Sequence, residues 1–200
     1  LFDRGRLPAV PDPAAPPAGP PTILSVGRLA PHQRQDLVIR AFGLYRRVHA
    51  PDARLVLVGV PISPSFEARL HELAEEVAPG AVAFENGIAP ERLHEHFRAA
   101  HAFLCLSEHE GFCIPLLEAF HFCVPVIARA AGGVPEVAAD AGVLLAPGDD
   151  LAVVAELLHL AVDDPGLRAE LAPRARARLD HFAADRTADR MREALLGLDG

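Results

Sequence analysis

The segment 107–119 carries residue types suited to chemistry on an anionic ligand that bears hydroxyl groups. Glu110 and Gly111 follow the short apolar run 102–106, and Pro115 comes four residues after the glycine. Such an apolar run is typical of a strand buried on both faces of a parallel sheet, and the proline favours the first turn of a helix. The glycine turn between them is predicted to present backbone N–H groups at the positive end of a helix dipole, which is an anion-binding arrangement.

Two carboxylates flank this turn. Glu110 is expected in the turn itself, and Glu118 about one turn into the helix. A carboxylate in either place can accept hydrogen bonds from sugar or ribose hydroxyls. The residues alone fit a second interpretation equally well, in which Glu110 caps the helix and Glu118 is a solvated helix residue.

Composition limits the class of protein. The chain has 200 residues, half of them hydrophobic, which is enough for one domain with a substantial core. A net charge of −8 argues against a general nucleic-acid surface, so phosphate binding must rely on a few local cations and helix ends. All 19 basic residues are arginine, which excludes a lysine Schiff base and a Walker lysine.

The chain contains no run of 18 apolar residues and no signal-like apolar region at its start. We therefore expect no transmembrane segment and a cytoplasmic location, with peripheral membrane association left open. Cys105, Cys113 and Cys123 lie in or beside apolar stretches without metal-ligand spacing, so they are predicted to be buried thiols of a reducing compartment and no metal site is predicted. His109 precedes Glu110 and is expected either in a turn or in contact with a sugar.

Strand and helix patterns alternate along the chain. Residues 1–21 contain seven prolines and are interpreted as a linker that follows a separate preceding domain, or else as a plain tail, whereas 22–200 form the ligand-binding domain. The pattern predicts an α/β fold, a doubly wound, Rossmann-like parallel sheet of about six strands with flanking helices and ligands at the carboxyl ends of the strands. The predicted strands are 22–29, 54–59, 82–85, 102–106, 124–128 and 142–145. The predicted helices include 36–49 with Asp36 as its N-cap, 65–77, 91–100, 149–163, 166–183 and 186–198.

Four predicted loops at the carboxyl edge carry candidate ligand groups. They contain Gly27 with Arg28, Gly59, Asn86 with Gly87, and Glu110 with Gly111. The guanidinium of Arg28 has the rigid fork that suits a diphosphate, although an ion pair with a nearby carboxylate is an alternative. Asn86-Gly87 also fits a plain turn.

The pattern Glu110-Gly111-Phe112-x-x-Pro115 with Glu118 eight positions after the first glutamate resembles the signature of retaining GT-B-type glycosyltransferases, the glycosyl transferases group 1 family. The Gly-Arg pair after the first strand and the Gly132-Gly133-x-x-Glu136 segment also resemble that family. The resemblance implies the C-terminal, donor-binding half of a GT-B architecture, in which the first glutamate and the following amides meet the donor sugar and phosphates and the second glutamate holds the ribose. The implied catalytic residues are Glu110, Arg28 and Arg34, and the implied donor-contacting residues are Gly27, Gln33, Gly59, Asn86, Gly87, Gly111, Phe112, Cys113, Ile114, Leu117 and Glu118.

One position departs from the family pattern. The lysine that accompanies the arginine in neutralising the leaving diphosphate is replaced by Gln33, which is followed by Arg34. Losing one preorganised donor typically costs roughly 10²–10³ in rate. Either Arg34 substitutes for the lysine, or the domain binds a donor without efficient turnover.

The resemblance implies transfer of a hexose from UDP- or GDP-hexose, without a metal or further cofactor, to a glycan or lipid-linked acceptor held by an N-terminal domain outside these residues. A noncatalytic nucleotide-sugar or partner-binding module is the main alternative. A sugar-nucleotide epimerase of similar fold is a second. A CheY-like receiver is disfavoured, since the chain has no lysine and no acidic cluster near its first strand.

Overall fold

A computed structural model describes residues 7–8, 16–148 and 150–183 of the chain. It contains one sheet of six strands in the order β3-β2-β1-β4-β5-β6, and each pairing is parallel. The predicted doubly wound, Rossmann-like sheet is therefore confirmed. The strands are β1 Thr22–Val26, β2 Arg54–Val58, β3 Val82–Glu85, β4 Ala102–Cys105, β5 Val126–Arg129 and β6 Val143–Leu145.

Helices connect the strands and complete the domain. They are α1 Gln35–Val48, α2 Pro64–Val77, α3 Pro90–Ala99, α4 Ile114–His121, α5 Val134–Ala138, α6 Leu151–Asp163 and α7 Pro165–His181, with a short 3₁₀ turn at Pro31–Gln33. Within the described residues no helix is both long and apolar enough to cross a membrane. The predicted helix 186–198 lies outside the described residues.

The predicted N-cap of the first helix was wrong. The residue that caps α1 is Arg34, in a left-handed conformation with φ 54°, and Asp36 lies one residue inside the helix. The carboxylate of Asp36 accepts hydrogen bonds from the Arg34 side chain over 3.0 and 3.1 Å. An Asp in the first turn still interacts favourably with the helix dipole, which explains the residue type without a cap.

The strands are mostly apolar, with charged residues only at the ends of β2, β3 and β5, because helices cover both faces of the sheet. Ile23 and Leu24, adjacent on β1, are fully buried in two different hydrophobic cores. Residues of α1, α2 and α6 pack in the first core, and residues of α3, α4, α5 and α7 pack in the second.

Two described pieces of the proline-rich N-terminal segment contact the domain. The carbonyl of Pro8 lies 2.8 Å from Nε2 of His121, and the carbonyl of Pro21 accepts a hydrogen bond from the Arg54 amide. Leu7 packs against the second core. These contacts show that the segment is in part attached to the domain surface.

Strand order changes direction between β1 and β4, which are neighbours in the sheet. Ligand sites of open α/β sheets lie outside the carboxyl ends of the strands at such a switch point. Here the switch point brings the loop after β1, residues 27–34, beside the loop after β4, residues 106–113.

Candidate functional site

The glycine turn before α4, residues 110–114, is called the elbow here. Helix α4 begins at Ile114, with Pro115 in its first turn as predicted, and the preceding Cys113 is left-handed with φ 49°. Within the described residues, the amides of Gly111, Phe112, Cys113 and Ile114 donate no hydrogen bond to the protein. A Cβ added to Gly111 would meet nothing within 4 Å. The elbow therefore offers unpaired N–H groups at a helix N-terminus, and neither packing nor backbone conformation accounts for its glycine.

The loop after β5 supports the elbow from one side. The amide of Gly133 donates a hydrogen bond of 2.9 Å to the carbonyl of Glu110. A Cβ on Gly132 would lie 2.1 Å from the Glu110 carbonyl oxygen, and one on Gly133 would lie 1.9 Å from that of Gly111. The two glycines are thus explained by close approach to the backbone of the elbow, because any side chain there would displace it.

The loop after β1 supports the elbow from the other side. The side-chain amide of Gln33 donates a hydrogen bond of 2.9 Å to Oε1 of Glu110. The carbonyl of His32 accepts hydrogen bonds from the Glu108 amide at 2.8 Å and from the Ser107 hydroxyl at 3.3 Å. Gln33, at the position of the family's lysine, therefore contacts the first glutamate of the signature directly.

Arg34 does not stand beside the elbow as an unpaired cation. Its guanidinium is bonded to Asp36 and to Glu108, and hydrogen bonds to these two carboxylates raise the pKa of Arg34. Its charge is already neutralised by the protein. In this geometry Arg34 does not replace the missing lysine.

Arg28 differs from Arg34 in the exposure and pairing of its guanidinium. Its side chain is exposed, and within the described residues its guanidinium forms no hydrogen bond or ion pair. Its carbonyl accepts a hydrogen bond of 2.9 Å from the buried side chain of Gln35, which fixes the backbone. A Cβ on Gly59 would lie 1.8 Å from the Gly27 carbonyl oxygen, so the loops after β1 and β2 are also in close contact. Arg28 therefore has a fixed backbone and an exposed guanidinium that pairs with no carboxylate of the described residues.

Glu118 lies half-buried on α4. Burial raises the pKa of its carboxyl group, and within the described residues the carboxylate has no hydrogen-bond partner. A half-buried carboxylate without a donor is suited to accept hydrogen bonds from a ligand. The alternative prediction of a fully solvated helix residue does not describe Glu118.

Three hydrophobic residues of the signature have different positions. Leu117 is fully buried in the second core, so its side chain does not face the loops at the switch point. Phe112 is 42% exposed and meets the ring of Phe182 edge-on at 5.1 Å, and Ile114 is 46% exposed. Phe112 and Ile114 therefore provide exposed apolar surface at the elbow, and Leu117 does not.

Asn86 and Gly87 follow β3, the strand at one edge of the sheet. The side chain of Asn86 donates to Glu67 of α2 over 3.1 Å, and Gly87 is left-handed with φ 62°. The amide of Gly59 donates to the carbonyl of Glu85 over 2.9 Å and joins this loop to the one after β2. The turn interpretation accounts for both residues, and contact with a nucleotide base stays a prediction.

His109 takes the turn role that the sequence offered. Its amide donates to Oγ of Ser107 at 3.3 Å, and its carbonyl accepts from the same hydroxyl at 3.0 Å. Its side chain is exposed.

Two of the cysteines meet at the elbow. Cys105 and Cys113 are buried, as predicted, and a hydrogen bond from the Cys113 thiol lowers the pKa of Cys105 and raises that of Cys113. Their Sγ atoms and a carboxylate oxygen of Glu110 all lie within 4.8 Å of one another. The spacing along the chain gave no sign of this cluster, because the left-handed turn at Cys113 creates it. Cys123 lies outside it and is half-buried.

Glu108 and Arg129 were not identified from the sequence. With Arg34 they line a cavity of about 420 Å³, where Nη1 of Arg129 lies 3.8 Å from Oε1 of Glu108. Arg129 ends β5, at the same edge of the sheet at which Arg28 follows β1. A basic residue at the carboxyl end of a buried strand was the signal that could have identified it.

The sheet order and the two helical layers match the C-terminal half of a GT-B architecture. The chain belongs to the glycosyl transferases group 1 family, whose sequence pattern matches residues 10–178. It is 36% identical over 183 residues to the D-inositol 3-phosphate glycosyltransferase of Acidothermus cellulolyticus. That alignment covers 88% of this chain and 40% of the relative, so the chain spans well under half of the relative's length.

Solved structures show the same fold. The C-terminal domain of the group 1 family protein LpcC from Francisella tularensis is 25% identical, with a TM-score of 0.69 over 81% of this chain and 85% of that domain. Anabaena HepE, solved with UDP and glucose, is 22% identical, with a TM-score of 0.75 over 88% of this chain and 48% of HepE. The near-complete match to an isolated C-terminal domain agrees with the predicted GT-B half.

Proposed function

We propose that this chain is the donor-binding domain of a retaining glycosyltransferase, which transfers a hexose from a nucleotide-sugar to a glycan or lipid-linked acceptor held by an N-terminal domain. UDP is the first nucleotide to test, since the structurally similar HepE was solved with UDP and glucose. GDP is the second. The cytoplasm, where we place the protein, supplies both kinds of donor.

The observation that carries the proposal is a set of unpaired groups at the switch point. Within the described residues, the Arg28 guanidinium, the elbow amides and the Glu118 carboxylate all lack protein partners. A cation and a helix N-terminus complement a diphosphate, and a carboxylate complements ribose hydroxyls. Among the described residues, these groups can therefore bind a ligand without breaking a hydrogen bond within the protein.

In the proposed reaction, Arg28 and the elbow amides stabilise the leaving diphosphate while Glu110 orients the hexose. The acceptor attacks the sugar face that the diphosphate vacates, so configuration is retained. A guanidinium and a helix N-terminus can neutralise a diphosphate without a metal ion, so the proposed reaction assigns this role to Arg28 and the elbow amides.

A noncatalytic nucleotide-sugar-binding module is the second candidate. It is favoured by Gln33, which provides no charge, and by Arg34, whose charge is already paired. Such a module binds the donor as tightly as an enzyme domain but neither transfers nor hydrolyses the sugar. A turnover assay on the chain joined to its acceptor domain separates the two candidates.

Calorimetric titration of the chain with UDP and with GDP tests donor binding. Arg28→Ala and Glu118→Gln are each expected to weaken the nucleotide that binds. Arg54→Ala is a matched control, because Arg54 is also exposed but lies at the amino end of β2, on the opposite edge of the sheet. Equal affinities for wild type and Arg28→Ala would remove the diphosphate site from this edge.

A further inference from the structure

Two thiols and a carboxylate form a compact group at the elbow. The Sγ atoms of Cys105 and Cys113 and one carboxylate oxygen of Glu110 lie within 4.8 Å of one another. Both cysteines are buried, and Glu110 is half-buried. Within the part of the chain that the structure describes, no other three His, Cys, Asp or Glu side chains come together in this way.

We propose that Cys105, Cys113 and Glu110 form a binding site for a borderline-soft divalent cation of the Zn²⁺ class. In tetrahedral Zn²⁺ sites the metal lies about 2.3 Å from sulfur and about 2.0–2.2 Å from carboxylate oxygen, so neighbouring ligand atoms are about 3.5–3.8 Å apart. A contraction of less than about 1.5 Å brings the three atoms to that spacing. Three protein ligands leave the fourth position open to water or another molecule.

The chemistry of the ligands selects the cation. Thiolates favour Zn²⁺ and similar ions, whereas Mg²⁺, Ca²⁺ and Mn²⁺ prefer sites made of oxygen atoms. Both thiols must lose their protons to bind, so binding releases protons and weakens as pH falls. The S–H···S hydrogen bond from Cys113 to Cys105 is replaced by two metal–sulfur bonds.

The surroundings already orient the ligands. Cys105 ends β4, where the Ser107 amide donates to its sulfur, and Cys113 is fixed by the left-handed turn that begins α4. Gln33 holds one oxygen of Glu110, and within the described residues the second oxygen has no hydrogen bond. An outer partner of this kind is typical of metal-bound carboxylates.

The site goes beyond the proposed function and does not depend on it. If Glu110 also orients the donor hexose, the cation and the sugar compete for one carboxylate. If Co²⁺ does not bind, the donor-binding proposal still stands. If UDP and GDP do not bind, the cation site still stands.

Cobalt titration of the reduced chain tests the site, because Co²⁺ is a coloured substitute for Zn²⁺. We expect thiolate-to-cobalt charge-transfer absorption in the near ultraviolet, which saturates at one Co²⁺ per chain and disappears when Zn²⁺ is added. Histidine sites give no thiolate band, so the ten histidines do not obscure the result.

Cys113→Gly is the decisive variant and Cys123→Gly its matched control. Both cysteines are left-handed, with φ 49° and 55°, so glycine relieves backbone strain at each position and both variants are expected to fold. The thiolate band should be lost in Cys113→Gly, weakened in Glu110→Gln and unchanged in Cys123→Gly. Zn²⁺ should likewise raise the Tm of wild type and Cys123→Gly but not of Cys113→Gly. A wild type without the band, or a Cys113→Gly variant that keeps it, would overturn the proposal.

Discussion

The side-chain amide of Gln33 donates a hydrogen bond of 2.9 Å to the carboxylate of Glu110, across a sequence separation of 77 residues. This bond joins the loop after β1 to the elbow after β4. It also places a neutral residue where the family pattern has a lysine. The cations at this edge of the sheet include Arg28, which is unpaired among the described residues, and Arg34 and Arg129, which both lie near Glu108.

Gln33→Lys is expected to tighten diphosphate binding. The ammonium group adds a charge-assisted hydrogen bond beside the elbow, which corresponds to about tenfold in the Kd of UDP, or about 1.4 kcal/mol. The measurement is calorimetry at low and high salt, with a larger salt effect for the variant. Gln33→Met, of similar length but without charge or hydrogen bond, should not gain affinity. A lysine variant that binds no tighter than the methionine variant would show that position 33 does not face the diphosphate.

Gly133→Ala is expected to lower the stability of the domain, whereas Gly111→Ala is expected to weaken UDP binding with little change in stability. The new Cβ at position 133 would lie 1.9 Å from the Gly111 carbonyl oxygen, and at 111 it would meet no protein atom within 4 Å. Gly133→Ala should cost about 2 kcal/mol of stability and lower the Tm by about 4–8 °C. Gly111→Ala should change stability by less than about 0.5 kcal/mol and still weaken UDP binding. Thermal unfolding and calorimetry check both, and full UDP affinity in Gly111→Ala would argue against close approach of the ligand.

Arg34→Ala and Arg28→Ala should separate stability from binding. Arg34 pairs with Asp36 and Glu108, so its removal is expected to lower the free energy of unfolding by about 0.5–1 kcal/mol. Arg28 has no partner among the described residues, so its removal should leave stability unchanged and weaken UDP binding. Urea unfolding gives the stabilities. The assignment of roles is contradicted if Arg34→Ala weakens UDP binding more than Arg28→Ala does.

His101 is expected to make stability depend on pH. It is 5% exposed, and its Nδ1 accepts a hydrogen bond of 3.1 Å from the Thr22 amide. Burial, followed by the charge of Arg168, lowers the pKa of His101 below its ordinary value of 6.5. The unfolded state therefore binds a proton first, and the stability contributed by neutral His101 is complete above about pH 6.5 and falls below it.

The corresponding measurement is urea unfolding between pH 7.5 and about pH 5, with a slope of at most about 1.4 kcal/mol per pH unit from this group. His101→Asn keeps an acceptor for the Thr22 amide but does not titrate, so its curve should be flatter. His96, whose pKa is lowered by burial and by Arg92, is present in both proteins and cancels in the difference. Parallel curves for the two proteins would show that His101 is not protonated on unfolding.

The sequence predicted the sheet and the elbow because both depend on local patterns. Apolar runs such as 102–106, together with Gly111 and Pro115, define a buried strand, a turn and a helix start without knowledge of the rest of the chain. The parallel sheet followed from the alternation of strands and helices.

The partners of the site residues could not be predicted, because they come from distant parts of the chain. Arg34 meets Glu108 across 74 residues, a pairing set by the register of β1 against β4. The cluster of Cys105 with Cys113 depends on one left-handed residue, which no spacing rule describes. The burial of Leu117 could not be predicted either, because the direction of α4 over the sheet decides which face of the helix is buried.

Amide chemical shifts of the ¹⁵N-labelled chain during titration with UDP test the central claim most directly. We expect the largest changes at Gly111, Phe112 and Ile114 and at Arg28, with little change at Arg54 on the opposite edge of the sheet. Saturation with UDP that leaves the elbow amides unmoved, while other loops shift, would contradict a diphosphate site at this helix N-terminus.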